Sequence, residues 1–289
     1  MIEPIKDASN KVFAQRWQHY ELIDAGGGKK LERWGDVITI RPERQAYFQS
    51  GLPFTEWNEI AHWEFVEKDK HQGKWKKLQA DAPDNWSINF EKLQFELKIG
   101  NNKHVGLFPE QVENWNFLKQ VLQPHHQVLN LFAYTGAASL VAKSLGASVT
   151  HVDAVKSVLQ WAKNNMSQSQ LSDIRWIQED ALKFAEKEQK RGQQYDCIIM
   201  DPPAWGIGAK KEKWILEDKL PELLKVSSHL LTGNGTLILN TYSPTIDIKI
   251  IQKLAKQFFS DRKISTQELW MKSYSNKEMY FGNLLRISE

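Results

Sequence analysis

The chain has 289 residues, 41% of them hydrophobic and 25% charged, with a net charge of +3, which is the composition of a globular protein of one large or two modest domains. No apolar run approaches the roughly 20 residues that span a bilayer, and the start "MIEPIKDASNKVF" lacks the apolar core of a signal peptide, so a cytoplasmic location with no membrane partner is expected. Cys197, the single cysteine, excludes an internal disulfide and a cysteine-built metal site, and the slight basic excess permits an anionic partner without requiring one.

Taken in chain order, residues 1–19 are expected to form a loosely anchored helix. Residues 20–100 hold short aromatic-rich runs between turn residues: "KLERWG", "DVITIRP", "HWEFVE", "GKWKKLQ", "WSINFEK" and "LQFELKIG". They read as strands of a small, mostly antiparallel β module, with "FQSGLPFTEWNE" as an irregular loop. The first domain is therefore placed at residues 1–100 and the second at 101–289. His125 and His126 adjoin Pro124 and read as a polar turn rather than zinc ligands, so no metal is expected.

From about residue 128, β-branched runs alternate with helical patterns, as in a parallel sheet covered by helices. "QVLNLF", "SVTHVD", "IRWIQED", "YDCIIMD" and "GTLILNTY" are the predicted strands. Helices are predicted over 137–146, 155–166, 181–192, 214–231 and 245–259. The tail runs "ISTQELWM" and "MYFGNLLRI" are joined by only "KSYSNKE", too short for a helical crossover, and should pair as an antiparallel hairpin.

Acids stand at successive strand ends of this pattern. The first strand ends in "NLFAYTGAAS", where Gly136 lets backbone approach a ligand closely before a helix of small residues. The second ends at Asp153, where a carboxylate can accept ribose hydroxyls. Asp180 follows the third, within reach of an adenine amine. Each acid alone is equally well a helix N-cap, but strand ends of a doubly wound sheet share one crevice. Asp201 ends the fourth strand, and Pro202 and Pro203 stiffen the chain beyond it. The alternative for Asp201 is a rigid strand exit with a capping role. In the functional reading its carboxylate and the neighbouring carbonyls are fixed acceptors that hold an N–H-bearing nucleophile in line with a sulfonium methyl group.

The segments "LNLFAYTG", "HVDAVKSVLQWAKNN", "EDALKF" and "IIMDPPAWG", with "NKHVGLFPEQVENW" upstream, together resemble class I S-adenosylmethionine-dependent methyltransferases. Within that class they are similar to the family that includes the large-subunit ribosomal-RNA methyltransferases. The resemblance covers about residues 95–287. It implies an α/β, Rossmann-like sheet with an antiparallel last strand, preceded here by the small β module, and S-adenosylmethionine as cofactor. It further implies that Phe108, Pro109, Glu110 and Gln111 line the site. Phe132, Ala133, Tyr134, Thr135 and Gly136 would surround the methionine part, Asp153 with Ala154 the ribose, and Asp180 with Ala181 the adenine. Asp201, followed by Pro202, would carry catalysis and face both donor and substrate. RNA, ribosomal above all, is the partner it implies.

Two departures shape the chemistry expected. Cytosine-C5 members of the family attack with a cysteine in a "TFSC"-like turn after the fifth strand, because carbon needs covalent activation. Here the turn is "TYSP", with Pro244 at that place, and Cys197 lies inside a strand, so direct transfer to a nitrogen or other heteroatom is expected. Amino-methylating enzymes with an Asp/Asn-Pro-Pro-aromatic motif stack a base on the residue after the prolines, which here is Ala204, with Trp205 one step later. The basic-aromatic stretches "KDKHQGKWKK" (68–77) and "GAKKEKW" (208–214) read either as solvated tips or as nucleic-acid contacts. A protein or small-molecule methyltransferase, and a cofactor-binding assembly factor without turnover, stay as alternatives, and the sequence leaves the oligomeric state open.

Overall fold

The computed structural model describes residues 10–68, 72–207 and 213–289. Strand β1 (Lys11–Phe13) precedes β2 (Tyr20–Gly26), β3 (Lys29–Trp34), β4 (Val37–Pro42), helix α1 (Phe54–Ile60), β5 (Trp63–Glu67) and β6 (Gly73–Lys77). Strands β2 to β6 form one sheet in sequential order. Every pair in it is antiparallel except β4 with β5, which run parallel and need the crossover that α1 supplies. The stretch expected to be irregular therefore contains a helix. It starts after Pro53, whose fixed φ suits a helix start, and its anchor is Trp57, fully buried with its indole N–H on Asp24 Oδ2 at 3.1 Å. Strands β7 (Asn85–Phe90) and β8 (Leu93–Lys98) form a separate antiparallel hairpin.

Residues 11–13 are not helical. They pair in parallel with a strand of the large sheet, and Ala14 N–H continues the ladder to the carbonyl of Trp270 at 2.8 Å. Val12 and Phe13 suit such an edge better than a short helix without a nucleus. The rest of that expected helix, residues 1–9, lies outside the described residues.

A 3-10 turn at Pro109–Gln111 leads into α2 (Val112–Val121). The repeating part comes next as β9 (Gln127–Leu131), α3 (Ala137–Ser144), β10 (Ser148–Asp153), α4 (Lys156–Gln168), β11 (Ile174–Gln178), α5 (Ala181–Lys190) and β12 (Tyr195–Met200). A small antiparallel pair, β13 (Trp205–Ile207) and β14 (Lys213–Ile215), interrupts it before α6 (Leu216–Leu230), β15 (Leu231–Thr241), α7 (Ile248–Phe258), β16 (Lys263–Lys272) and β17 (Glu278–Ser288). The described strands of the large sheet lie in the order β1-β16-β17-β15-β12-β9-β10-β11. Neighbours from β15 through β11 pair in parallel, and β17 runs antiparallel between β15 and β16. This is the expected Rossmann-like α/β sheet with an antiparallel last strand. Its central strands are continuous apolar runs because helices cover both faces: Val128, Leu129, Leu131, Cys197 and Ile198 are all fully buried. The order reverses between β9 and β12, and a crevice opens at the strand ends there.

Two contacts bring the N-terminal strands over that crevice. Helix α4 holds β8 by side chains on its backbone: Trp161 donates to Glu96 O at 3.0 Å, and Asn165 Oδ1 accepts from Glu96 N–H at 2.9 Å. The tip of the β16–β17 hairpin holds β2, with Tyr274 N–H on Leu22 O and Ser275 N–H on Ile23 O at 2.9 and 3.2 Å. Asp24 fastens this joint. Its carboxylate accepts from Ala25, Gly51 and Leu52 N–H at 2.8, 3.0 and 2.7 Å and from the Ser275 hydroxyl.

Candidate active site

At the carboxyl ends of β9, β10, β12 and β15 lies a cavity of about 650 Å³, whose outer wall comes from β3, β4 and the segment after β8. Its size is that of small-molecule sites, roughly 300–1,000 Å³. Of the residues singled out in the sequence, Phe108, Pro109, Phe132, Tyr134, Asp153 and Ala154 line it. So do Asp180, Ala181, Asp201 and Pro202. Ala133, Thr135, Gly136 and Gln111 are not among its lining residues, and Gln111 meets it only through its bond to Asp201.

The turn after β9 has an unusual backbone: Phe132 and Tyr134 take φ of 57° and 49°, and Gly136 takes 92°. Left-handed non-glycine residues cost free energy and persist where surroundings fix them. Here Asp153 does the fixing, accepting Tyr134 N–H on Oδ2 at 3.0 Å and Val155 N–H on Oδ1 at 2.9 Å. Burial raises the Asp153 pKa, and these two N–H groups oppose the shift. Gly136 also faces α4, where a Cβ would come 3.1 Å from Ala162. Thr135 is buried, its hydroxyl donating to Gly106 O at 2.5 Å and its carbonyl accepting from Asn165 at 2.9 Å. It locks the turn to the segment that leads to Phe108. Asp180 is both things the sequence allowed, an N-cap that accepts Lys183 N–H at 2.9 Å and a residue of the cavity wall.

Asp201 sits at the floor. Gln111 Nε2 donates to its Oδ2 at 3.0 Å and Asn240 Nδ2 to its Oδ1 at 3.3 Å. Enclosure of the carboxyl pushes its pKa up to about 6, against the pull of the Asn240 hydrogen bond. The carbonyls beyond it are not all turned inward as the sequence suggested. Pro203 O accepts the Trp214 indole N–H at 2.7 Å and Ala204 O accepts Leu216 N–H at 3.1 Å, because β13 and β14 fold the loop back onto α6. Trp205 lines the cavity and is 55% exposed. Glu110, 8% exposed, shares the cavity with Asp201. Burial, then the negative charges of Asp201 and Glu32, push its pKa up to about 7 against the opposing field of Lys30 and a hydrogen bond from its own backbone N–H.

The outer wall is charged and largely buried. Arg41 makes a two-pronged pair with Glu32 at 2.6 and 2.7 Å, and Lys30 lies 3.4 Å from Glu32 and 3.6 Å from Glu43. Tyr20 donates to Glu32 at 3.0 Å. Burial works against ionised Glu32, yet Arg41 and Lys30 hold its pKa down at about 2. Tyr242, from the turn after β15, donates to Glu43 at 2.6 Å and closes the wall against the sheet. His104, against Phe108, is kept neutral by burial and the nearby cations, its pKa lowered to about 3. Sequence reading missed Lys30, Arg41, Glu43, His104, Asn240 and Tyr242. A usable signal was present in β3, where Lys30 and Glu32 alternate on one face with Trp34 and Lys30 pairs in register with Arg41: opposite charges placed where a core is expected.

Cys197 is fully buried in β12, burial pushing its thiol up to about 12, and Pro244 is exposed beyond β15. Among the described residues no group of three or more His, Cys, Asp or Glu side chains could hold a metal ion, and no helix is long and apolar enough to cross a membrane. The donor set suits an adenosyl ligand with a charged amino-acid end: carboxylates at both nucleoside positions and a polar floor around Asp201.

The S-adenosylmethionine-dependent methyltransferase family model matches residues 61–261, and the chain belongs to that family. A methyltransferase structure from Agrobacterium tumefaciens is 33% identical, covers 96% of this chain and 93% of its own, and superposes with a TM-score of 0.90. The fold is shared with SMU.776, a methyltransferase solved in complex with SAH, at 18% identity and a TM-score of 0.74 over 95% of this chain and 76% of that one. Ribosomal RNA large subunit methyltransferase K/L of Syntrophotalea carbinolica is 29% identical over 59% of this chain, and the chain spans only 24% of that relative's length.

Proposed function

We propose that the protein methylates RNA, with large-subunit ribosomal RNA as substrate, at a nitrogen and by direct transfer without a covalent enzyme–base adduct. The observation that carries the chemistry is the Asp201 carboxylate, held by two amides at the cavity floor while the only cysteine is buried in β12. The choice of RNA is supported by the name of the K/L relatives. Asp153 and Ala154 bind the ribose, Asp180 and Ala181 the adenine, and the turn Phe132–Gly136 with Phe108 and Pro109 encloses the methionine part. Bound S-adenosylmethionine supplies an electrophilic methyl group on a sulfonium.

Asp201 accepts a hydrogen bond from the substrate N–H and aligns the nitrogen lone pair, and Pro202 keeps the strand end stiff. Alignment of this kind accounts for much of the rate of a displacement. The wall closed by Tyr242 and Glu43 excludes water and strengthens these contacts. Residues 1–100 act as the substrate-recognition domain, residues 101–289 as the transfer domain, and Trp205 stacks on the base that enters. The basic stretches 68–77 and 208–214 contain residues 69–71 and 208–212, which lie outside the described residues. The enzyme works in the cytoplasm. Mass-spectrometric comparison of RNA nucleosides from cells with and without the gene tests this: loss of one N-methylated nucleoside is expected, and identical nucleoside profiles would refute an RNA substrate.

A further inference from the structure

Glu110 is a buried acid whose carboxylate is met only by its own backbone N–H. It is 8% exposed, lies on the cavity wall and, among the described residues, its side chain makes no hydrogen bond or ion pair to another residue. Lys30, the cation that acts on it most strongly, is committed to Glu32 and Glu43. An ionisable group left so in a cavity is costly and marks a place where a ligand completes it. Its position is fixed, because the next residue, Gln111, is clamped to Asp201 at 3.0 Å and to Asn114 at 2.8 Å.

The charges that act on Glu110 define its end of the cavity. Lys30 and Glu32 of β3 and Asp201 at the tip of β12 act on it, and it acts in turn on Tyr20 of β2, Arg41 of β4 and Tyr242 after β15. Glu110 thus belongs to the transfer end. Asp201 is the weaker base there, since both its oxygens already accept amide N–H groups that favour the charged form.

We infer that Glu110 is the proton acceptor of the reaction, its carboxylate facing the substrate nitrogen at the point of methyl transfer. The inference rests on reading the cavity as a methyl-transfer site and specifies its substrate as an N–H compound that must lose a proton. The nitrogen lone pair forms the new N–C bond as the S–C bond breaks with its electron pair going to sulfur. The alkylated nitrogen, now cationic, gives one proton to the Glu110 carboxylate, which later releases it to water. A carboxyl whose pKa lies at about 7 is suited to take and return a proton near neutrality.

Two ligands measured by calorimetry test this without a known substrate: S-adenosylhomocysteine, and sinefungin, which carries an amino group where the sulfonium methyl would be. Glu110→Gln should lower sinefungin affinity about tenfold or more, the range of a lost charged hydrogen bond, and change S-adenosylhomocysteine affinity less than about twofold. Its melting temperature should equal or exceed that of the wild type. Methyl transfer to RNA from gene-deleted cells should fall and lose its inflection near pH 7, with partial recovery in Glu110→Asp. Equal loss of both ligands would overturn the inference by placing Glu110 at the amino-acid end of the cofactor, and unchanged sinefungin affinity would overturn it outright. A wild-type protein that binds neither ligand would instead defeat the methyl-transfer reading itself.

Discussion

Gln111 Nε2 lies 3.0 Å from Asp201 Oδ2, joining the segment ahead of the first parallel strand to the tip of the fourth. The bond makes the floor of the cavity a product of two distant stretches, and it gives Asp201 one of its two amide partners. Gln111→Ala should leave the cofactor Kd within about threefold and lower kcat about tenfold, as expected when one oriented hydrogen bond is lost from a reacting site. Single-turnover rates beside calorimetric Kd values check the split.

Asp153→Ala should weaken S-adenosylhomocysteine binding by about 1–3 kcal/mol, the cost of unpaired buried partners. It should also loosen the turn at Tyr134, whose N–H the carboxylate holds. Calorimetry gives the first effect. Faster amide exchange at Tyr134 and Val155 gives the second, and exchange as slow as in the wild type would show that the turn is held by other contacts.

Cys197→Ala should cost on the order of 1 kcal/mol in stability, as for a small buried deletion, and leave turnover unchanged. RNA carrying 5-fluorocytosine should form no denaturant-stable adduct with either protein. An adduct lost in Cys197→Ala would restore a covalent cytosine mechanism.

Stability should depend on pH from both sides. Glu110 and Asp201 have folded pKa values of about 7 and about 6, above those of an unfolded chain, so the folded state binds protons more tightly. Their contribution is fully present below about pH 4 and is lost as pH rises through 6 and 7. Glu32 is the reverse, held down at about 2, so its contribution is present above about pH 4.5 and lost as pH falls toward 2. Thermal unfolding between pH 3 and 9 should show Glu110→Gln gaining on the order of 2–3 kcal/mol over wild type at pH 8 and nothing at pH 4.

The acids at strand ends were legible because a β-branched run ending in Asp153 or Asp201 carries both its period and its terminus in one short stretch. The burial of Cys197 was legible from its place inside a β-branched run. Helix α1 was not, since Gly51 and Pro53 read as loop and its seven residues are held by distant partners, Trp57 on Asp24 and in a buried cluster with Leu31 and Ile40. Nor were the acceptors near Asp201: Pro203 O is taken by Trp214, eleven residues on. The contact of Tyr242 with Glu43 joins residues 199 apart, a pairing that depends on how the hairpin β16–β17 docks on β2 and that no local pattern encodes.

The most direct measurement is transfer of a labelled methyl group from S-adenosylmethionine to RNA from gene-deleted cells, by wild type and by Asp201→Asn, with nucleoside mass spectrometry of the product. Label is expected in one N-methylated nucleoside with the wild type, and at a rate about 100-fold lower with Asp201→Asn, which still binds S-adenosylhomocysteine. Label on carbon, label in protein alone, or full activity in Asp201→Asn would contradict direct transfer to an RNA nitrogen aligned by Asp201.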